Sequence, residues 1–214
     1  MSKTGNDLTQ GNVVRQLITF ALPFMISNIV QSLYNVADML IVGRFGGAVG
    51  ISAVNIGGQV TFIITNIVIG LSVGGTVVIG QYMGSRDRKS AVESISTMMI
   101  SLLAAAVVIT VAMMILATPI LNLIQTPPEA FAQAREYLQI TVLGSVFIFG
   151  YNALSAIMRG LGDSKRPLYF VTIACVVNIV LDLILVGYFG MGARGAAIAT
   201  IVSQAASMVL CILY

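Results

Sequence analysis

One acid, Asp38, inside an otherwise apolar run constrains this chain more than any other feature. The segment SNIVQSLYNVADMLIVG, from Ser27 to Gly43, belongs to a stretch long enough to cross the roughly 30 Å of bilayer hydrocarbon. Counting back from Asp38, Asn35, Tyr34, Gln31 and Ser27 fall at offsets of three, four, seven and eleven, the repeat of one helical face. An ionisable side chain at the centre of a spanning helix costs roughly 2.5 to 3.5 kcal/mol on insertion scales. The stripe must therefore turn toward a bundle interior or an aqueous cavity, and its default reading is an ion-coupling or transport site.

Composition agrees. With 57% hydrophobic and 9% charged residues, against about 25% charge in a soluble domain, the chain is an integral membrane protein. The net charge of +3 is spread singly or in threes between apolar spans, which argues against nucleic acid as a partner. Cys175 and Cys211 each sit in an apolar helix without a CxxC neighbour, so they read as packing residues and support neither a disulfide framework nor a metal site. The polar start, MSKTGNDLTQGNVVRQ, lacks the apolar core and cleavage site of a secretory signal, so residues 1–14 are expected to be a cytoplasmic segment before a retained first helix.

Six runs have spanning length, at about 15–43, 51–82, 91–117, 129–158, 168–187 and 193–214. Ser90 with Glu93, and Thr126 with Glu129, have the spacing of capping boxes before the third and fourth spans. Pro127 and Pro128 suit the first turn of the fourth. Lys3, Arg15, Arg86, Arg88, Lys89, Arg159, Lys165 and Arg166 fall on one side of this layout, leaving Arg44, Arg135 and Arg194 for the other. By the positive-inside rule the first side is cytoplasmic and holds both termini. The expected fold is an all-α membrane protein, a six-transmembrane-helix bundle.

Polar residues at helical spacing mark the faces expected to avoid lipid: Asn55, Gln59 and Asn66 in the second span, and Thr141, Ser145, Asn152 and Ser155 in the fourth. The fifth carries Thr172, Cys175, Asn178 and Asp182; the sixth carries Thr200, Gln204, Ser207 and Cys211. The third is apolar nearly all round and belongs at the periphery. Singly, each amide or hydroxyl reads more readily as an interhelical hydrogen bond than as a site. The acids Asp38 and Asp182 are different, because two buried carboxylates with no basic partner in the spans are not both cheaply ionised. At least one must hold a proton or share a cation. Gly70 and Gly74 form a GxxxG pair expected to let backbones approach closely. RGLGDSKRP lacks the preceding strand and Lys-Ser or Lys-Thr pair of a phosphate loop. Pro23 should kink the first helix and act as a hinge.

In order and spacing, LTQGNVVRQLITFALP, NVADMLIVGRFG, GQYMGSRD, MRGLGDSKRP and NIVLD resemble the N-terminal half of a multidrug and toxic compound extrusion (MATE) transporter. The resemblance implies one lobe of a two-lobe, parallel-repeat secondary transporter of the plasma membrane, exporting amphipathic, often cationic, compounds in exchange for protons or sodium ions. It makes Asp38, Asn178, Asp182, Asn152 and Thr200 the ion- or proton-coupling cluster, with sodium, if that is the ion, at Asp38, Asn178 and Asp182. Gln31, Tyr34 and Asn35 would line the substrate cavity, and Pro23 matches a proline where the first helix bends. No cofactor is implied, and the bilayer, a small amphipathic substrate and a C-terminal lobe or a second copy are the implied partners. The chain stops at Tyr214 without a second lobe, which is expected of a fragment or an isolated lobe. A lipid-linked precursor flippase of the related superfamily shares the architecture, but no basic residue lies mid-span to favour it. A scaffold that binds a partner lobe without transporting is the reading from another class. An enzyme is not supported: there is no histidine, metal-ligand cluster or nucleophile with a base.

Overall fold

A computed structural model describes residues 12–214; the expected segment 1–14 and Lys3 fall largely outside them. The described chain is an all-α bundle: α1 (Val13–Gly84), α2 (Arg88–Leu123), α3 (Pro128–Leu143), α4 (Ser145–Gly160), α5 (Lys165–Asp182) with a π-helical extension (Leu183–Tyr188), and α6 (Gly192–Leu213). Four of these helices are long and apolar enough to cross a membrane, and a fifth crossing arises if the bent α3 and α4 act as one span.

α1 holds 72 residues, which as a straight rod would reach about 108 Å. It breaks at Gly47, whose φ of 67° and ψ of −169° lie outside the helical region and cost an L side chain more than glycine. Beyond the break the chain folds back. Phe24 in the first arm meets Arg159 near the end of α4, and Thr76 in the second arm donates to the carbonyl of Ala156, 3.0 Å away, on that same end. Both arms thus return to one end of the bundle. The loop expected over 44–50 is a single-residue break, because helical residues continue on both sides of Gly47. The helix keeps its dihedrals through Pro23, so the departure from helical geometry in α1 lies at Gly47 and not at the proline.

The run expected as the fourth span is not one straight helix. It is two helices bent by 49° at Gly144, a residue packed so tightly against Ile201 of α6 that no side chain fits there. Thr110 of α2 repairs the bend, its hydroxyl 2.7 Å from that of Ser145 and 3.3 Å from the carbonyl of Val142. α2 otherwise buries one stripe, Ala91, Met98, Leu102, Ala106, Met113, Ala117 and Leu121, and exposes the rest, as expected of a peripheral helix.

Neither expected capping box forms. Asp87 caps α2, accepting from the Ser90 backbone N–H at 3.1 Å and its hydroxyl at 2.7 Å, so the helix starts a turn earlier and Ser90 lies inside it. Thr126 instead donates backwards to the carbonyl of Leu121, closing α2, and α3 begins on Pro127 and Pro128 without a side-chain cap.

The second-arm amides Asn55, Gln59 and Asn66 are exposed on the outer surface of the bundle, not turned into it. Gly50, Ala53, Val54 and Gly57 occupy the inward face, where Tyr137 of α3 lies against Gly57 and only small residues fit. The GxxxG expectation fails for a related reason. A Cβ on Gly70 or Gly74 would meet nothing within 4 Å, whereas one on Gly160 would lie 2.9 Å from Ile79 Cγ2 and 3.1 Å from the carbonyl oxygen of Thr76.

Two outcomes follow. Gly160→Ala should cost about 1 to 3 kcal/mol, since backbone on α1 blocks the added methyl, while Gly70→Ala should be neutral or mildly stabilising; thermal unfolding in detergent compares them. The hydrogen bonds from Ser90 hold the exposed Asp87 carboxyl below its ordinary range. Its folded form is favoured above the unfolded carboxyl's pKa, and this contribution fades as pH falls through the depressed value. Asp87→Ala should therefore lower the unfolding temperature at neutral pH and lose that deficit in acid.

Candidate functional site: a buried acid pair with a shared amide

The membrane-depth acids are both inside the bundle. Asp38, on the first arm of α1, is 5% exposed, and Asp182, at the end of α5, is 0% exposed. Asp182 lies within electrostatic reach of Asp38 across the packed α1 and α5. Between α5 and α6, Asn178 is 0% exposed and Thr200 7%. Asn178 precedes Asp182 by four residues, one turn, so both side chains share a face. With its amide turned to satisfy its neighbours, Asn178 donates to Asp182 Oδ2 at 3.0 Å and accepts from the Thr200 backbone N–H at 3.3 Å.

That arrangement leaves oxygens over. Asp38 Oδ1, Asp182 Oδ1 and Thr200 Oγ1 are buried and find no hydrogen-bond partner within the protein. Among the described residues the ion pairs are Arg166 with Asp163 and Arg194 with Glu136, so no guanidinium or ammonium is tied to either buried acid. No group of three or more His, Cys, Asp or Glu residues gathers among the described residues. The donors on offer are carboxylate, amide and hydroxyl oxygens, which suit a proton or a hard monovalent cation and not a soft transition metal.

Of the other expected residues, Tyr34 is half-buried, one turn before Asp38, beside Thr200 and within electrostatic reach of both acids. Gln31 is half-buried and Asn35 is exposed on the lobe surface. Asn152 is half-buried on α4 and donates to the carbonyl of Ile148 in its own helix at 2.7 Å, with no hydrogen bond joining it to the acids. Pro23 is buried about four turns before Asp38. The structure therefore gathers Asn178, Asp182 and Thr200 by hydrogen bonds, with Asp38 and Tyr34 in electrostatic reach, and leaves Gln31, Asn35, Asn152 and Pro23 outside that group. It adds Tyr137, 6% exposed and within electrostatic reach of Asp38, Tyr34 and Asp182. Its signal was available in the sequence, since it precedes Thr141 by four residues on the polar stripe of the fourth span.

The backbone at the site is itself irregular. The π-helical turn begins directly after Asp182, with Phe189 donating to the carbonyl of Ile184 across five residues at 2.9 Å. Such π segments recur at functional sites, where they re-aim side chains without ending the helix.

The chain and its fold are similar to known proteins. The MatE family profile matches residues 23–184. The probable multidrug resistance protein YpnP of Bacillus subtilis is 35% identical over 198 residues, 92% of this chain and 44% of that protein. The probable multidrug resistance protein NorM of Thermotoga maritima is 33% identical over 195 residues, 89% of this chain and 42% of that protein. A solved MOP superfamily transporter from Pyrococcus furiosus superposes with a TM-score of 0.92 at 29% identity, covering 99% of this chain and 46% of that one. The chain thus spans less than half the length of each of these proteins, two named for multidrug resistance and one for transport. With a profile match running from Pro23 to just past Asp182 and a bundle that superposes along nearly its whole length, this chain belongs to the MatE family.

Proposed function

We propose that this chain is the N-terminal lobe of a cation-coupled antiporter that exports amphipathic, often cationic, compounds. One observation carries the reading: two carboxylates lie inside a membrane-crossing bundle with oxygens left over and no basic side chain tied to them. In a low-dielectric interior such a pair favours taking up a positive particle. The resemblance and the names of the relatives supply the rest, and nothing in the site's oxygen donors distinguishes proton from sodium by itself.

In this reading the two arms of α1 are separate crossings and the bent α3 and α4 are one, making six. The turns that carry Arg86, Arg88, Lys89, Arg159, Lys165 and Arg166 gather at one end of the bundle, where a Cβ added to Gly80 would lie 3.7 Å from the carbonyl oxygen of Gly160. The positive-inside rule makes that end cytoplasmic, along with both termini, in the plasma membrane. Loading a cation on Asp38 and Asp182 removes a repulsion between α1 and α5 and frees the first arm to repack, which displaces substrate from the cleft against a second lobe or a second copy. Inward movement of the cation drives the exchange, at about 2.3 kcal/mol per charge per 100 mV.

A flippase for lipid-linked anions would want cationic side chains in the cavity, and the mid-membrane charges here are both negative. A scaffold without transport is separated by experiment: efflux should appear when this lobe is combined with a C-terminal lobe, and binding without efflux would replace the proposal.

In that two-lobe protein, Asp38→Asn should reduce ion-coupled efflux at least tenfold with expression near normal. Ser101→Ala, on the exposed side of α2, should leave it within twofold of the parent. Fluorescent-substrate efflux from energised vesicles measures both, and coupled efflux retained by Asp38→Asn would falsify the proposal.

A further inference from the structure

Below the acid pair, toward the α4–α5 turn, the polar face of α6 that begins at Thr200 of the coupling site continues into buried groups that the site does not use. Thr200, Gln204, Ser207 and Cys211 are spaced four, three and four, so they line one face of α6. That face runs down the bundle beside α5. Thr200 meets Asn178, and seven residues on, the Ser207 hydroxyl donates to the carbonyl of Phe170 at 3.2 Å. At the lower end Ser155 of α4 lies beside both Cys211 and Tyr151, and the Tyr151 hydroxyl donates to the carbonyl of Pro167 at 3.2 Å, at the start of α5.

Gln204 Oε1 has no hydrogen-bond partner within the protein, and Thr200 Oγ1 and Ser155 Oγ make no well-formed hydrogen bond, although Thr200 lies beside Tyr34 and Ser155 beside Tyr151 and Cys211. Ser155 is only 2% exposed. Buried polar atoms are rarely left dry, and where several occur in line the usual partner is ordered water. The spacing suits it. Successive residues on α6 are separated along the axis by about 6, 4.5 and 6 Å, and one water accepting and donating hydrogen bonds of about 2.8 Å links groups about 5.6 Å apart.

We propose that the seam between α4, α5 and α6 holds a file of buried waters, organised by Gln204, Ser207 and Ser155, that carries protons between the acid pair and the α4–α5 turn. The proposal rests on the coupling reading above and deepens it, because it selects the proton as the coupling ion. Water and hydroxyl groups pass a proton by accepting one and releasing another at the same oxygen, while the Gln204 amide orients the waters by donating from nitrogen and accepting at oxygen. A metal cation moving through the same seam would find no carboxylate between Asp182 and Asp163 to offset its charge. In the transfer step, the O–H bond of the protonated acid breaks and its proton joins the first water. Each link then accepts one proton and releases another, and a proton leaves to bulk at the turn, with a carboxylate remaining at the pair. Substrate uses the cleft and the proton uses the lobe's own interior, so the two need not compete for one exit.

Radiolytic hydroxyl-radical footprinting of the protein in lipid nanodiscs tests hydration directly, since radicals formed from bound water label adjacent Tyr151, Cys211 and Met208. The expected result is labelling of these buried residues within milliseconds, falling at least fivefold in Ser155→Ala and Gln204→Leu. In sodium-free proteoliposomes of the two-lobe protein, Gln204→Leu should slow drug-driven proton flux about tenfold without weakening drug binding. Gln204→Asn should restore most of the rate, and Thr172→Ala, on the exposed side of α5, should match the parent. Unlabelled reporters in the parent, or parent-like proton flux in Gln204→Leu, would overturn the proposal. A dry seam together with lost coupling in Asp38→Asn strikes this proposal alone, whereas a labelled seam with coupling retained in Asp38→Asn strikes the coupling reading and leaves the hydration standing.

Discussion

Every peptide group carried into hydrocarbon must find its hydrogen-bond partner inside the protein, and the rest of this structure depends on that requirement. It forces helices, and it restricts where a helix can be interrupted. The interruptions here are few and each is repaired. Gly47 turns α1 back on itself with a single residue, so few backbone groups are left unpaired. Gly144 bends the chain between α3 and α4, where Thr110 reaches across from α2 to the carbonyl of Val142. After Asp182 the ladder widens into π-helical spacing and does not stop. Many hydroxyls follow the same logic, with Thr19, Ser27, Ser32, Thr61, Thr65 and Thr172 each donating to the carbonyl four residues back.

Once the helices exist, close packing decides which faces meet. Lipid tails are as apolar as leucine, so association depends on shape and on small residues. Gly57 under Tyr137, Gly160 under Ile79 and Thr76, and the alanines of α6 let backbones approach. Large apolar side chains, such as Leu33, Leu40, Leu103 and Ile115, are turned outward instead. This inverts the soluble rule, and it explains why the bundle buries alanine and glycine while exposing leucine and isoleucine.

Against that background the acid pair stands out physically. Its immediate neighbours are an amide and a hydroxyl, and the guanidinium groups of the chain lie elsewhere: Arg166 is paired with Asp163 and stacked 3.7 Å from the Tyr214 ring, and Arg159 lies 5.1 Å from the Phe24 ring. The arginines fasten the end of the bundle that carries the basic turns. The negative charges sit deeper, between helices that would have to repack if those charges were neutralised.

Hydropathy and helical period alone made this an all-α membrane bundle, put α2 at the periphery, and set Asp38, Asn178, Asp182 and Thr200 on inward faces. These properties are written in spacing along one helix, which is local. What only the tertiary structure decided depends on which face meets which neighbour. Asn55, Gln59 and Asn66 share a polar stripe like that of the fourth span, yet they face outward because Tyr137 selects the glycine side of the same helix. Gly70 and Gly74 have the packing motif but meet no neighbour among the described residues, while Gly160, weighed in the sequence only as part of a phosphate loop, has one. The break at Gly47 falls in the gap expected between the first two spans, but that at Gly144 was hidden within an apolar run, since a single residue that changes direction leaves hydropathy unchanged. The same is true of the site: one helix's spacing placed each acid on a face, but their meeting across α1 and α5 is a product of three-dimensional packing.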